Sequence, residues 1–480
     1  MWLHRLWDAR RRRFHPLADA ALAIGVAGAG RIALNSLISV GFGAAVFGRY
    51  AAAAAGVLLV GSLAASGPSA ATTLGVARRW GPAPGTLPRG LIAFLARLLL
   101  VFVALAVLAA LLVRRHDPVP LPLWGAAMLG YVLYQVARSA GYALDRADAV
   151  TRAEAIGATL PLLAVALLLA RPPAQPVAWL IAAFTLGPVA FLMGFGWWNR
   201  GRVRVVPGPL TPEERRRGLR ESAMFLLGAG SSMAMQYLPV VIAGRLEATT
   251  TAAVLFGALQ ATTPLLLLPR VYGAVMMPAF AADTGADRVA DHLALVRPLF
   301  VPSLALALGL APWVAASLGL RPEPSAMSVA ALVALMTLLQ VWATPAVTVL
   351  SARQREVIPA VASAAGLAVA GAVWVVAVRG DAVLLLPVGL ALGAVVRSLV
   401  PVWMLSGRPL GRLDGPTLRR LVLSVALAVS IAVLSRGTTV VALAGGAALI
   451  TTGLFACYRV WATLPRGEEH AANRPQAMTL

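Results

Sequence analysis

The sequence contains no lysine, a single cysteine and few charged residues of either sign. Its 480 residues include 41 basic side chains, all of them arginine, and only 19 Asp and Glu, so charged residues make up 12% of the chain. Soluble globular proteins typically carry about 25% charged residues, so this composition excludes an ordinary soluble fold. The single cysteine, Cys457, excludes an internal disulfide and a cysteine-based metal cluster.

What the chain has instead is a series of long apolar runs. Hydrophobic residues make up 59% of the sequence and the mean hydropathy is +0.80. Fourteen runs are long enough to cross a hydrocarbon core of about 30 Å as helices. The sequence therefore predicts an all-α polytopic membrane protein with about 14 transmembrane helices. The predicted spans cover residues 18–45, 49–76, 90–113, 122–144, 153–170, 177–198, 221–244, 249–281, 299–319, 326–350, 357–378, 383–405, 418–435 and 438–460.

The arginines are distributed unequally over the loops between these spans. With the N-terminus inside, 28 of the 41 arginines fall in cytoplasmic segments, eight in external loops and five within spans. An excess of arginine in short loops marks the cytoplasmic side of a membrane protein. We therefore expect a multi-pass protein of the bacterial cytoplasmic membrane with both termini cytoplasmic. Because the charge does not cluster on one soluble face, we expect no nucleic-acid partner.

The longest connection divides the chain after six spans. It runs from Asn199 to Ser222 ("NRGRVRVVPGPLTPEERRRGLRES"), and its arginines, prolines and glycines are typical of a cytoplasmic linker. Six spans, a linker and six more spans describe a parallel repeat with its axis along the membrane normal. The predicted units are an N-terminal six-helix lobe (1–198), the linker (199–220), a C-terminal six-helix lobe (221–406), two additional helices (407–462) and a disordered cytoplasmic tail (463–480).

Four stretches resemble parts of one superfamily of transporters. They are "FGRYAAAAAGVLLVGSLAASGPSAATTLGVARRWG", "LLLLPRVYGAVMMPAFAADTGADRVADHLALVRPLF", "TPAVTVLSARQREVIPAVASAAGLAVAGAVWVV" and "LPVGLALGAVVRSLVPVW". They look like the second span, the eighth span, the tenth-to-eleventh connection and the twelfth span of the multidrug/oligosaccharidyl-lipid/polysaccharide exporter superfamily. Within it, the chain resembles the polysaccharide (O-antigen type) flippases and the lipid II flippases. The resemblance implies two six-helix lobes in a V-shaped arrangement around a central cavity, and alternating-access transport of a lipid-linked sugar.

Three arginines lie too deep in predicted spans to reach water. Arg31 stands about fifteen residues from either end of its apolar run, which is farther than a side chain extends; Arg270 and Arg397 are placed similarly. Every Asp, Glu and His falls at a predicted span end or in a loop, so we expect no carboxylate in the membrane interior. Guanidinium pairs bidentately with phosphate oxygens. We therefore expect these arginines to bind a phosphate or pyrophosphate head group. The alternative is a structural role, in which the arginine bonds to backbone carbonyls and holds two helices together, and this alternative is favoured for Arg397.

The remaining intramembrane and flanking charges have simpler predicted roles. Arg97 and Arg138 lie nearer the cytoplasmic ends of their spans, so snorkelling or a structural ion pair is expected, with Asp145 near Arg138. Asp19 and Glu221 stand at the predicted starts of spans one and seven. We expect both to cap helix N-termini, where negative charge suits the helix dipole, with gate carboxylates as the alternative.

Four uncharged polar side chains complete the predicted site. Asn35, Gln236, Tyr237 and Gln260 lie within spans and are expected to contact sugar hydroxyls. Hydrogen bonding between helices is the equally favoured alternative for them.

The leading interpretation is a flippase for a lipid-linked polysaccharide precursor. A lipid II flippase, a multidrug exporter of the same fold and a membrane glycosyltransferase or ligase are the alternatives, in that order. We expect no enzyme activity, because no external loop combines acids with histidine and no nucleotide-binding loop, metal motif or nucleophile elbow appears. We expect no cofactor. The expected partners are the lipid-linked sugar, membrane lipids and other membrane proteins of polysaccharide assembly.

Overall fold

The computed structural model of the protein describes residues 22–23, 25–80, 86–113, 119–144, 146–262, 309, 324–352, 355–406, 447–448 and 451. Several predictions therefore fall outside the described residues. These are Arg270, Asp19, Asp145, the second half of span eight, most of span nine, nearly all of spans thirteen and fourteen, and the C-terminal tail.

The described chain is almost entirely helical. The helices are α1 (Gly25–Phe42), α2 (Ala44–Trp80), α3 (Arg89–Val113), α4 (Leu121–Ala143), α5 (Ala147–Ala170), α6 (Pro176–Asn199), α7 (Pro212–Phe225), α8 (Ser231–Arg245), α9 (Thr249–Thr262), α10 (Pro324–Ala352), α11 (Val357–Arg379) and α12 (Leu385–Ser406). Within the described ranges, seven helical stretches are long and apolar enough to cross a membrane, with α7 and α8 counted as one. The apolar runs thus form helices where the hydropathy pattern indicates.

The starts of α5 and α7 differ most from the prediction. Helix α5 begins at Ala147 rather than near residue 153. Helix α7 begins at Pro212, nine residues before the predicted start of span seven, because Thr211 and Glu214 form a reciprocal capping box. Hydropathy detects only the apolar part of a helix, so both polar first turns were assigned to loops.

The early start of α7 overturns the predicted role of Glu221. Thr211, not Glu221, is the N-cap, and Glu221 lies in the third turn, where it is buried and pairs with Arg217 at 3.3 Å. The prediction that Glu221 caps a helix is therefore wrong. A π-helical turn, Leu226–Gly230, joins α7 to α8, so the polar start and the apolar remainder form one continuous segment.

The predicted linker between residues 199 and 220 is ordered locally. Its strand β2 (Arg204–Val206) pairs in parallel with β1 (Thr86–Pro88), with Leu87 opposite Val205. The N–H of Gly90 also donates to the carbonyl of Gly208 at 3.0 Å. The segment thus ties the start of α3 to the approach to α7, while the division of the chain into units stays a prediction.

Helix α2 lies at the centre of the described fold. It packs against α3 and α4, which follow it directly in the chain, and against α8 and α9, which come later. Helices α5 and α6 approach each other closely at Gly157, where the lack of a side chain is required: a Cβ there would lie only 3.0 Å from the carbonyl oxygen of Gly187. Small residues allow such close approach of helices in membranes. This packing brings α1, α2, α4, α5, α6 and α9 around one cavity.

Candidate functional site

A cavity of about 70 Å³ lies among these six helices. That volume can hold several water molecules, since each needs about 10–15 Å³. Its wall is mainly apolar, with a small number of polar groups, as is usual for ligand sites. It is lined by Ala27, Gly30, Arg31, Leu34, Asn35, Tyr50, Leu58, Tyr131, Tyr134, Glu154, Gly157, Ala158, Pro161, Phe184, Gly187, Pro188, Phe256 and Gln260.

Arg31 reaches the cavity from the middle of α1. The preceding Gly30 allows α1 to lie close to α5, since a Cβ at that position would come within 2.5 Å of the Cβ of Ala158. The Arg31 side chain is half-buried, and it makes no hydrogen bond or salt bridge to any residue that the structure describes. The five N–H donors of this guanidinium are thus not used by any described residue.

Two amide side chains share the wall with Arg31. Asn35 follows Arg31 by four residues and therefore lies on the same face of α1. Gln260 comes from α9, so both halves of the chain contribute to the cavity. Asn35 and Gln260 are 6% and 3% exposed, and neither makes a hydrogen bond within the described ranges. Their donors and acceptors are thus also available.

The fourth polar group of the cavity, Glu154, was missed by sequence reasoning. This carboxylate is only 4% exposed. Its Oε1 accepts a hydrogen bond from the Tyr134 hydroxyl at 2.7 Å and lies 3.2 Å from Nε of Arg138. The expectation that every carboxylate falls at a helix end or in a loop is therefore wrong for Glu154, which lies in the third turn of α5.

The same contact identifies the role of Arg138. An ion pair was one of its two predicted roles, and Glu154 is the partner that the structure describes. The Arg138 guanidinium also lies 5.9 Å from the ring centre of Tyr134 and 5.7 Å from that of Tyr142. The signal in the sequence was the i, i+4 spacing of Tyr134 and Arg138, which places a hydroxyl and a guanidinium on one face of an apolar helix.

Aromatic side chains form much of the remaining wall. Tyr50 packs edge-on against Phe256, with ring centres 6.3 Å apart, across the contact of α2 with α9. The hydroxyl of Tyr131 accepts a hydrogen bond from Nε2 of Gln135 at 2.7 Å. Such apolar walls exclude water and strengthen electrostatic interactions with the groups inside.

The other predicted site residues lie elsewhere in the described chain. Gln236 of α8 donates to Oε1 of Gln340 in α10 at 3.2 Å, which fits the alternative of hydrogen bonding between helices. Tyr237 is buried in α8. Arg397 is half-buried in α12, where its Cβ faces Gly366 of α11. These three do not line the cavity, and their substrate contacts stay predictions.

The charges at the cavity therefore have different surroundings. Glu154 is already held by Tyr134 and Arg138, whereas Arg31 has no such partner in the part of the chain that the structure describes. Two guanidinium groups against one carboxylate leave an excess of positive charge. Among the described residues, no group of His, Cys, Asp and Glu could hold a metal ion.

Comparison with known proteins identifies the fold. No protein-family model and no curated protein sequence matches the chain. Solved structures do match. One is a MOP superfamily transporter from Pyrococcus furiosus Vc1, whose binding pocket is described as having reverse polarity. It aligns with a TM-score of 0.57 at 15% identity, over 82% of this chain and 94% of its own. The eukaryotic MATE transporter AtDTX14 aligns with a TM-score of 0.55 at 14% identity, over 87% of this chain and 99% of its own.

A flippase has the same fold. The lipid II flippase MurJ, in an inward closed conformation, aligns with a TM-score of 0.51 at 13% identity over 92% of this chain and 99% of its own. The chain thus has the fold of the MOP superfamily transporters, which is that of a multi-pass membrane protein. The neighbours are transporters and flippases rather than enzymes.

Proposed function

We propose that this protein flips a lipid-linked polysaccharide precursor across the bacterial cytoplasmic membrane by alternating access. The phosphate or pyrophosphate of the substrate binds Arg31, while the lipid tail stays in the bilayer. The observation that supports this is the Arg31 guanidinium, which lies on the cavity wall without a hydrogen bond or salt bridge to another described residue. Placing a charged side chain inside a membrane costs at least about 2.5–3.5 kcal/mol of free energy, and a bound anion would offset part of that cost.

The polar groups of the cavity suit a phosphosugar. A planar guanidinium can donate two parallel hydrogen bonds to phosphate oxygens. Asn35 and Gln260 offer both donors and acceptors to sugar hydroxyls. The carboxylate in the same wall does not neutralise Arg31, because its Oε1 is held by Tyr134 and Arg138.

The finer architecture belongs to the same proposal. We expect 14 membrane helices in two six-helix lobes plus a C-terminal pair, with both termini cytoplasmic. Arg270 would supply a second guanidinium to the head group, and Arg397 and Tyr237 would contact the substrate in another conformational state. Other membrane proteins of polysaccharide assembly would deliver or receive the lipid-linked sugar.

A multidrug exporter is the second candidate, and Glu154 is the observation that favours it. A buried carboxylate in a cavity can attract an organic cation, and four of the solved structures that align with a TM-score above 0.5 are MATE transporters. Against this function, Arg138 already neutralises Glu154 at 3.2 Å and Arg31 repels cations from the same cavity.

Reconstituted transport distinguishes the two functions. Proteoliposomes with the wild-type protein would be tested with a fluorescent polyprenyl-diphosphate disaccharide and, separately, with the cationic dye rhodamine 6G. We expect transport of the lipid and not of the dye, and a loss of about 100-fold in Arg31→Gln, as expected for a charged bidentate contact. Arg152→Gln is the matched control, because Arg152 is exposed on α5 and does not line the cavity.

Two results would contradict the proposal. One is dye transport by the wild-type protein without transport of the lipid, which would favour the exporter. The other is unchanged lipid transport by Arg31→Gln, which would remove Arg31 from the binding site.

A further inference from the structure

The two carboxylate oxygens of Glu154 are not equivalent. Oε1 receives both described contacts, from the Tyr134 hydroxyl at 2.7 Å and from Nε of Arg138 at 3.2 Å. Oε2 makes no hydrogen bond to a described residue. Glu154 lines the cavity, so a ligand bound there can contact its carboxylate.

Glu154 and Arg31 act on a ligand in opposite ways. Both line the same cavity and interact electrostatically, yet they form no salt bridge with each other. A phosphate is attracted to Arg31 and repelled by Glu154, so it settles on the Arg31 side. The group facing Oε2 must then be a hydrogen-bond donor, since an ionised carboxylate only accepts.

We propose that Glu154 determines specificity by accepting a hydroxyl of the sugar that is linked to the phosphate bound at Arg31. The inference rests on the proposed function and names its substrate class more closely. The site takes a phosphate-linked carbohydrate and rejects a polyprenyl phosphate that lacks hydroxyls. Without a donor, such a ligand leaves Oε2 desolvated and unpaired, and sites that hydrogen-bond a substrate hydroxyl reject analogues that lack it.

Tyr134 and Arg138 are positioning residues in this arrangement. They hold Oε1 and thereby fix the direction of Oε2. Tyr134→Phe removes one of these contacts without changing the charge of the cavity. We expect it to reduce the discrimination between ligands less than a change of Glu154 does.

The test compares two ligands of equal charge, one with a sugar ring and one with a hydrocarbon ring that carries no hydroxyl. The probes are undecaprenyl phosphoryl-glucose and the cyclohexyl ester of undecaprenyl phosphate, which carry the same charge and a ring of similar size. Binding to the full-length protein in lipid nanodiscs would be measured for both. We expect the wild type to prefer the glucosyl lipid by about tenfold or more, and Glu154→Gln to lose about tenfold of this preference, since a charged acceptor is replaced by a neutral one.

A second variant covers the case in which Glu154→Gln does not fold. The double substitution Glu154→Gln, Arg138→Gln removes both charges of the ion pair and leaves no uncompensated guanidinium, and it should lose the same preference. Because the readout is a ratio of two affinities in one sample, a change in the amount of folded protein does not affect it.

The outcomes separate this inference from the proposed function. If the wild type binds both lipids through Arg31 without preferring the glucosyl lipid, or if both Glu154 variants keep the preference, the role of Glu154 is overturned while anion binding stands. If the wild type binds neither lipid, the proposed function fails and the inference fails with it.

Discussion

Polar side chains are treated differently in two neighbouring regions of this membrane protein. Between α8, α9 and α10 they pair with each other: Gln236 donates to Gln340 at 3.2 Å, and Thr337 donates to Thr262 at 3.0 Å. At the cavity, Arg31, Asn35 and Gln260 have no hydrogen-bond partner among the described residues. Gln236 and Gln260 are the same residue type at similar burial, 8% and 3% exposed, yet only Gln236 has a hydrogen-bond partner within the described ranges.

This difference separates packing from binding. A polar group in hydrocarbon is costly unless it is satisfied, and paired amides between helices meet that requirement internally. Polar groups on a cavity wall that lack such a partner are satisfied only when water or a ligand is present. Under the proposed function, a polar substrate would satisfy the groups at the cavity, whereas the α8–α10 contact is satisfied by the protein itself.

Glu154 lines the cavity but is also paired within the protein, and its removal should have the largest effect on stability. Glu154→Ala leaves the Arg138 guanidinium without its carboxylate in a buried position, which typically costs about 3–5 kcal/mol in free energy of unfolding. Removing both partners in a Glu154→Ala, Arg138→Ala variant should cost less than removing Glu154 alone. Denaturant titration of the purified proteins in detergent would measure the free energy of unfolding of both variants.

Glu213→Ala is the control for that measurement. Glu213 is exposed in the first turn of α7, so its removal should change the free energy of unfolding by no more than about 1 kcal/mol. A loss for Glu154→Ala as small as that of the control would show that the ion pair with Arg138 does not contribute to stability.

The two glutamines give a smaller and sharper contrast. Gln236→Leu should lower the free energy of unfolding by about 0.6–1.7 kcal/mol, as found for hydrogen bonds between membrane helices, and leave affinity for the lipid-linked sugar unchanged. Gln260→Leu should do the opposite: stability is kept, and affinity falls by about five- to tenfold because one hydrogen bond to the ligand is lost. Each variant serves as the control for the other.

The contrast would collapse in one identifiable way. If Gln236→Leu weakened ligand binding as much as Gln260→Leu did, the hydrogen bond to Gln340 would be part of the transport path. The initial expectation that Gln236 contacts sugar hydroxyls would then be supported over the packing role.

The helical framework of the described chain could be read from the sequence because the bilayer imposes a strong constraint. A run of about 20 apolar residues must form a helix to satisfy its backbone, so bounds such as those of α11 and α12 agree with the predicted spans to within two residues. The same reasoning placed Arg31, Asn35 and Gln260 within spans, and the structure brings these three to one cavity.

The parts that were missed depend on contacts between helices and on polar helix starts. Glu154 was assigned to a span end because hydropathy does not detect the first turns of α5. Its burial follows from Tyr134 and Arg138, which come from another helix, and single-sequence patterns do not show which helices touch. The pairing of Gln236 with Gln340 was unpredictable for the same reason, since 104 residues separate them.

The most direct measurement is the affinity of the protein in lipid nanodiscs for a polyprenyl-diphosphate disaccharide, with and without the Arg31 guanidinium. We expect Arg31→Gln to bind about 100-fold more weakly than wild type, and Arg31→Lys to be impaired as well because a single ammonium does not reproduce the bidentate contact. Arg152→Gln should bind like wild type, and Arg31→Gln should unfold no more easily than wild type. Equal affinity of Arg31→Gln and wild type for the diphosphate lipid would contradict an anion site at Arg31.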